Sequence, residues 1–154
     1  MIATELNRRD FLKTTGLLAT AAFLPTQLIG CGDGADVNND WETRATELEA
    51  LTEVRTEANP GPWAEKVGGH LPAVEFDMDN TNVTVRTSHG MSEEHYITTI
   101  YIRDQNGVVV GLKELNPTDS EASADFTLPE GTTAITAYSY CNLHDHWMTE
   151  SVTI

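Results

Sequence analysis

Five residues in the later part of the chain, His70, His89, His95, Cys141 and His144, are of the types that bind transition metals. Four imidazoles and one thiolate fill five positions around a mononuclear iron and leave the sixth open. An open position is a place for chemistry rather than only for holding a fold together. The chain has five histidines, and only His146 falls outside this set.

The N-terminus says where such a site operates. Asn7-Arg8-Arg9-Asp10-Phe11-Leu12-Lys13 is a twin-arginine export pattern, followed by an apolar stretch from Thr14 to Leu24. That stretch is short of the roughly 20 apolar residues that span a bilayer. Leu28-Ile29-Gly30-Cys31 resembles a lipobox, in which Cys31 is lipidated and becomes the mature N-terminus; cleavage nearby without a lipid is the alternative. Either way the mature protein works outside the cytoplasm, periplasmic or at the cell surface, attached to the membrane where Cys31 carries a lipid.

With Cys31 consumed, Cys141 is a lone thiol in an exported protein, where unpaired thiols are liabilities and metal ligation explains their presence. A Cys31–Cys141 disulfide and an inert buried cysteine stay open as other readings.

The formal net charge is −15. Removing residues 1–31 takes away three basic and two acidic side chains, leaving six basic against 22 acidic and a net charge of −16. Nucleic acid is excluded as a partner, because its binders carry basic footprints. The acidic surface suits a high-salt habitat or plain solubility.

The elements that must position the five residues follow from periodicity. Residues 1–31 read as the signal peptide with its lipobox, and 32–61 as a flexible tether with one short helix over 41–56. That helix places Trp41, Ala45 and Leu48 on one face, with Asp40 as its cap and Asn59-Pro60-Gly61-Pro62 as its stop. From residue 73 the pattern alternates. Strands are predicted at 73–78, 82–87, 95–102, 107–113, 121–128, 132–140 and 148–154, separated by turn residues such as Gln105-Asn106-Gly107 and Pro129-Glu130-Gly131. About seven short strands without an interior helix predict an immunoglobulin-like antiparallel β-sandwich over 62–154. His70, His89, His95, Cys141 and His144 then fall at strand ends and in loops, where a rigid sandwich presents functional groups.

Gly69-His70-Leu71-Pro72, the run His89-Gly90-Met91-Ser92-Glu93-Glu94-His95-Tyr96-Ile97, and Cys141-Asn142-Leu143-His144-Asp145-His146-Trp147 resemble the three ligand segments of the superoxide reductases, the desulfoferrodoxin and neelaredoxin family. The resemblance covers about residues 62–154. It implies a mononuclear iron with His70, His89, His95 and His144 in a plane and Cys141 as axial thiolate. It also implies an enzyme that reduces superoxide to hydrogen peroxide with one external electron and two protons. The extra cysteine-rich module of two-iron members is not matched here, so the resemblance is to the one-iron form. Such a form takes its electron from a donor protein and is often a homo-oligomer.

The chain departs from the family pattern in three places. A Glu-Lys pair usually directly precedes the first histidine, where Glu caps the resting iron and Lys attracts superoxide; here Glu65-Lys66 is separated from His70 by Val67-Gly68-Gly69. Gly90 and Asp145 stand where Pro and Gly are usual. Asn142 reads either as a donor to the sulfur or as a turn former, and Tyr96 and Trp147 either as pocket walls or as core.

A second reading is a cupredoxin-like blue copper electron carrier. Cys141-x2-His144-x3-Met148 resembles its metal loop, with His95 as the first histidine. That reading leaves His70 and His89 without a role.

Overall fold

The computed structural model describes residues 37–154. Two β-sheets pack face to face. One runs β1-β8-β7-β4-β5, with β9 joined to β7, and the other runs β2-β3-β6. In chain order the strands are β1 Val54–Arg55, β2 Pro72–Phe76, β3 Asn82–Thr87, β4 Ile97–Asp104, β5 Val109–Glu114, β6 Ala122–Thr127, β7 Ala134–Cys141, β8 His146–Met148 and β9 Val152–Thr153. All pairings are antiparallel except β1 with β8.

The core lies where inward-facing residues of the two sheets meet. In β3 these are Val83, Val85 and Thr87, and in β7 they are Ile135, Ala137, Ser139 and Cys141, each set at the two-residue spacing of a strand with one buried face. Cys141 is therefore the last inward residue of β7, at the end of the apolar core that holds Ile97, Ile100 and Ile102. Strand β4 is buried on both faces, because Ile100 and Ile102 meet the core while Tyr101 meets a helix on the outside of the sheet.

That helix, α1, spans Val37–Leu51. Ala45 and Leu48, with Trp41 beside them, pack on Tyr101, Val109 and Leu112. The i, i+4, i+7 spacing of Trp41, Ala45 and Leu48 puts all three on the face turned to the sheet. Polar contacts along its flanks fix the docking. Glu42 accepts from Arg103 at 2.8 Å and from the Val109 amide at 3.2 Å, and Arg44 donates to Glu114 at 2.6 Å. No helix among the described residues is long and apolar enough to cross a membrane.

Several boundaries differ from the sequence reading. The helix begins at Val37, inside the stretch expected as tether, so Asp40 lies in its first turn rather than capping it. It ends at Leu51, and Val54–Arg55 form a short parallel strand against β8 instead of a last helical turn. The single strand expected over 148–154 divides into β8 and β9. The chain between them leaves the ladder at Thr149, whose amide still bonds the Ala137 carbonyl at 3.0 Å.

Candidate metal centre

Three connections at one end of the sandwich carry the donors. A 3-10 segment, Gly61–Lys66, runs into the one-turn helix α2, Val67–His70, which delivers His70 just before β2. His89 and His95 lie in the β3–β4 connection. The His89 amide bonds the Thr87 carbonyl at 2.8 Å, and Ser92 and His95 close a tight turn through reciprocal backbone bonds of 3.1 Å. A bulge in the β4–β7 pairing between Ile97 and Thr99 follows at once, and such irregularities re-aim neighbouring side chains. Cys141 ends β7 and His144 sits in the turn to β8, which the Cys141 amide closes onto the Asp145 carbonyl at 3.1 Å.

One ligand atom from each of His70, His89, His95, Cys141 and His144 falls within 4.8 Å of all the others. His70 Nε2 is 3.1 Å from His144 Nδ1, His89 Nε2 is 3.0 Å from His95 Nε2, and Cys141 Sγ is 3.8 Å from His144 Nδ1. Neighbouring nitrogens at right angles about a metal, each about 2.1 Å from it, stand about 3.0 Å apart, and opposite ones about 4.2 Å apart. The two nitrogen pairs fit that arrangement, while the sulfur stands farther from His144 than a shared right-angle geometry sets.

The rings have a matching order in space. His70 meets His89 at 4.6 Å, His89 meets His95 at 4.4 Å, His95 meets His144 at 4.6 Å and His144 meets His70 at 4.9 Å. Interplanar angles around that circuit are 79°, 90°, 78° and 86°, while His70 and His95, across it, are 6.0 Å apart and tilted by only 28°. Four imidazoles thus form a square around a common centre, with the Cys141 sulfur as the fifth donor.

Local contacts set the tautomers. His70 Nδ1–H donates to the Lys66 carbonyl at 2.9 Å, and His89 Nδ1–H donates to the Gly90 carbonyl. Each bond leaves Nε2 with a free lone pair facing the centre. Burial is the largest influence on three of the rings and drives their pKa values down. His70 falls to about 4, opposed by its bond to the Lys66 carbonyl and helped by the neighbouring His89, His144 and His95 charges. His89 and His144 move the same way. Imidazoles kept neutral are imidazoles able to bind a cation. Burial pushes the Cys141 thiol up, while the Leu143 and His144 amides aimed at its sulfur pull the other way. A metal cation resolves that conflict by deprotonating the thiol outright. One thiolate with four imidazoles is a donor set suited to a mononuclear iron.

The depth of the site is graded. Cys141 and His70 are buried, at 1% and 3% exposure, whereas His89, His95 and His144 are half-buried at the rim. Lys66 stands close enough for its charge to depress His144, after burial and His95. Glu65 is exposed on the 3-10 segment. Asn142 does not donate to the sulfur. Its side chain accepts from the Tyr96 amide at 3.0 Å and donates to the Glu94 carbonyl at 3.0 Å, stitching the His95 loop to the Cys141 loop. The Leu143 amide reaches Cys141 Sγ instead, at 3.5 Å. Trp147 is wholly buried, packs against His70 at 5.7 Å and donates its indole N–H to the His144 carbonyl at 2.6 Å. Cys31 lies outside the described residues.

The sequence reading missed two contributors. Trp63 lies edge-on to the His144 ring at 4.9 Å, and Arg55 pairs with Asp145 at 3.0 Å. Trp63 was legible only as an aromatic close before the first histidine, and nothing in the local pattern pointed to Arg55.

Comparison with known proteins agrees with this geometry. The desulfoferrodoxin family model matches residues 62–150, more than half of the chain, and includes all five donors. The chain belongs to the desulfoferrodoxin family. A desulfoferrodoxin from Nitratidesulfovibrio vulgaris is 34% identical over 83 residues, which are 53% of this chain and 62% of that protein. A variant of the neelaredoxin superoxide reductase from Ignicoccus hospitalis is 25% identical, with a TM-score of 0.56 over 66% of this chain and 93% of that one. A superoxide reductase crystallised in the oxidised state is also 25% identical, with a TM-score of 0.51 over 69% and 98%. This desulfoferrodoxin-family chain also matches a twin-arginine signal over residues 5–25, so it is exported across a membrane.

Proposed function

We propose that the protein is an exported one-iron superoxide reductase. It would combine one superoxide, one electron and two protons into hydrogen peroxide, at an iron that His70, His89, His95, His144 and Cys141 would hold. The observation that carries this reading is the square of four imidazoles with a sulfur as fifth donor. Iron held there would supply one-electron redox chemistry, and a Cys141 thiolate ligand would enrich its electron density.

The chain's own residues do the rest. Burial disfavours the protonated forms of His70, His89 and His144, and the Lys66 carbonyl and the Asn142 stitch hold the rings in place. Cys141 and His70 are buried while His89, His95 and His144 are half-buried, so water, the source of the protons, has access from the rim. The Lys66 ammonium attracts the anion, and exposed Glu65 is the candidate to cap the resting site. The net charge of −16 on the mature chain opposes that attraction at long range. At about 1 M salt the screening length is about 3 Å and only local charge counts.

Cys141 is the one thiol left when Cys31 is lipidated, so a second iron has no thiolates within this sequence. A separate donor protein brings the electron, and a lipid at Cys31 would keep the enzyme at the membrane. The copper reading is disfavoured, because its trigonal site uses His95 and His144 but leaves the converging nitrogens of His70 and His89 idle.

The test is product analysis with the iron-loaded protein and an electron donor. One peroxide per superoxide and no dioxygen is expected. Dioxygen release, or copper binding with an intense blue thiolate band, would contradict the proposal.

A further inference from the structure

Arg55 lies outside the residues that match the family model, yet it reaches the metal loop. The parallel pairing of β1 with β8 sets Arg55 opposite Trp147. From there its Nε and Nη2 donate to Asp145 Oδ2 at 3.1 and 3.0 Å, and Nη1 donates to Glu53 at 2.6 Å. Trp63 Nε1 donates to the same Asp145 oxygen at 2.9 Å. The Arg55 and Asp145 side chains are 13% and 20% exposed, so this is not a solvated surface pair.

Two backbone features are built around that contact. Asp145 has φ +64°, a left-handed conformation that Gly adopts freely and Asp only occasionally, at a position where the resemblance leads one to expect Gly. Gly61 has φ +57°, and a Cβ added there would collide with the Arg55 guanidinium. Asp145 directly follows His144, its carbonyl closes the turn from Cys141, and Trp63 touches the His144 ring.

We propose that Arg55, Asp145 and Trp63 form a positioning clamp that holds the Cys141–Asp145 turn so that His144 Nδ1 meets the other donors. Through it the segment 54–61, which precedes the family-matched region, becomes part of the metal centre. The carboxylate contacts offset the unfavourable left-handed backbone of Asp145, and Gly61 leaves room for the guanidinium that makes them. Trp63 fixes one side of the His144 ring while its N–H anchors the loop behind it.

The inference rests on the reading that the five donors bind iron. The test uses the exported protein loaded with iron. It measures the rate of iron loss to a chelator, the position of the ferric thiolate absorption band and the unfolding midpoint. Arg55→Met and Asp145→Gly are each expected to speed iron release about tenfold and to shift the band. Glycine is at home at φ +64°, so a loss in Asp145→Gly reports the missing carboxylate and not strain. Asp145→Asn keeps an acceptor and is expected to stay within about threefold of wild type. The double variant Arg55→Met/Asp145→Gly is expected to release iron no faster than the worse single variant, because both remove one interaction. Unchanged release with an unshifted band would overturn the clamp, as would additive effects or a lowered midpoint with no spectral change. Wild-type protein that binds no iron would instead overturn the reading beneath it.

Discussion

His144 and His146 are separated by one residue, Asp145, and belong to opposite regions of the molecule. His144 turns toward the donor rim, where its Nδ1 meets the His70 nitrogen at 3.1 Å and the sulfur at 3.8 Å. His146 turns the other way, beneath α1, and is wholly buried. There its Nε2 lies 3.1 Å from the Tyr101 hydroxyl, which donates to Glu49 at 2.7 Å, while Arg103 binds both Glu49 and Glu42. Tyr101 stacks on Tyr138 at 4.5 Å, almost parallel at 6°. The helix-covered region mixes donors, acceptors and both charges and nearly completes itself, although the buried His146 Nδ1 has no partner among the described residues. The rim gathers like groups whose lone pairs face one point. Self-satisfied polar clusters hold structure together, whereas converging acceptors await a cation from outside.

That contrast can be broken from either side. Removing a donor with His70→Ala is expected to lower iron occupancy and superoxide turnover more than about 100-fold, beyond the usual cost of losing an outer partner. Metal analysis and a circular dichroism spectrum of the same sample check it, the fold being retained. Next in size is Leu48→Ala, which empties a site 2% exposed between α1 and the sheet. It is expected to cost about 2–5 kcal/mol in urea unfolding while the iron-to-protein ratio stays unchanged. A lost metal in that variant would show the two regions to be coupled.

Lys66→Ala is a smaller change. Stopped-flow kinetics are expected to show a two- to tenfold slower encounter with superoxide, with iron still bound and the deficit shrinking as salt is added. A rate indistinguishable from wild type at every ionic strength would remove Lys66 from the mechanism.

The smallest effect concerns pH. Burial raises the Glu42 carboxyl, but the Arg103 and Val109 hydrogen bonds outweigh it and leave the pKa below its ordinary 4.5. A depressed folded-state pKa gives stability that is present above the unfolded value and fades as pH falls through the folded one. Helix docking, followed by Trp41 fluorescence, is therefore expected to weaken below about pH 4.5. Glu42→Gln is expected to flatten that dependence.

That five such side chains converge was legible because their residue types are scarce and chemically specific, whereas the strand expected at 132–140 stopped one residue short of Cys141. The partners of the rim were much less so. Arg55 and Asp145 are 90 residues apart and meet only through a two-residue parallel strand, too short to leave a periodic trace. Asn142 reads in sequence as a sulfur donor or a turn former, and its part in joining two loops depends on a Tyr96 amide 46 residues away in the chain. The early start of α1 at Val37 also escaped notice, since Gly, Asp and Asn around it signal a tether until the sheet offers a face to pack on.

X-ray absorption of the iron-loaded protein tests the central claim most directly. The expected shell is one sulfur at about 2.3 Å with four nitrogens at about 2.1 Å, and loss of the sulfur alone in Cys141→Ser. An iron shell without sulfur, or one with fewer than four imidazole nitrogens, would contradict the site described here.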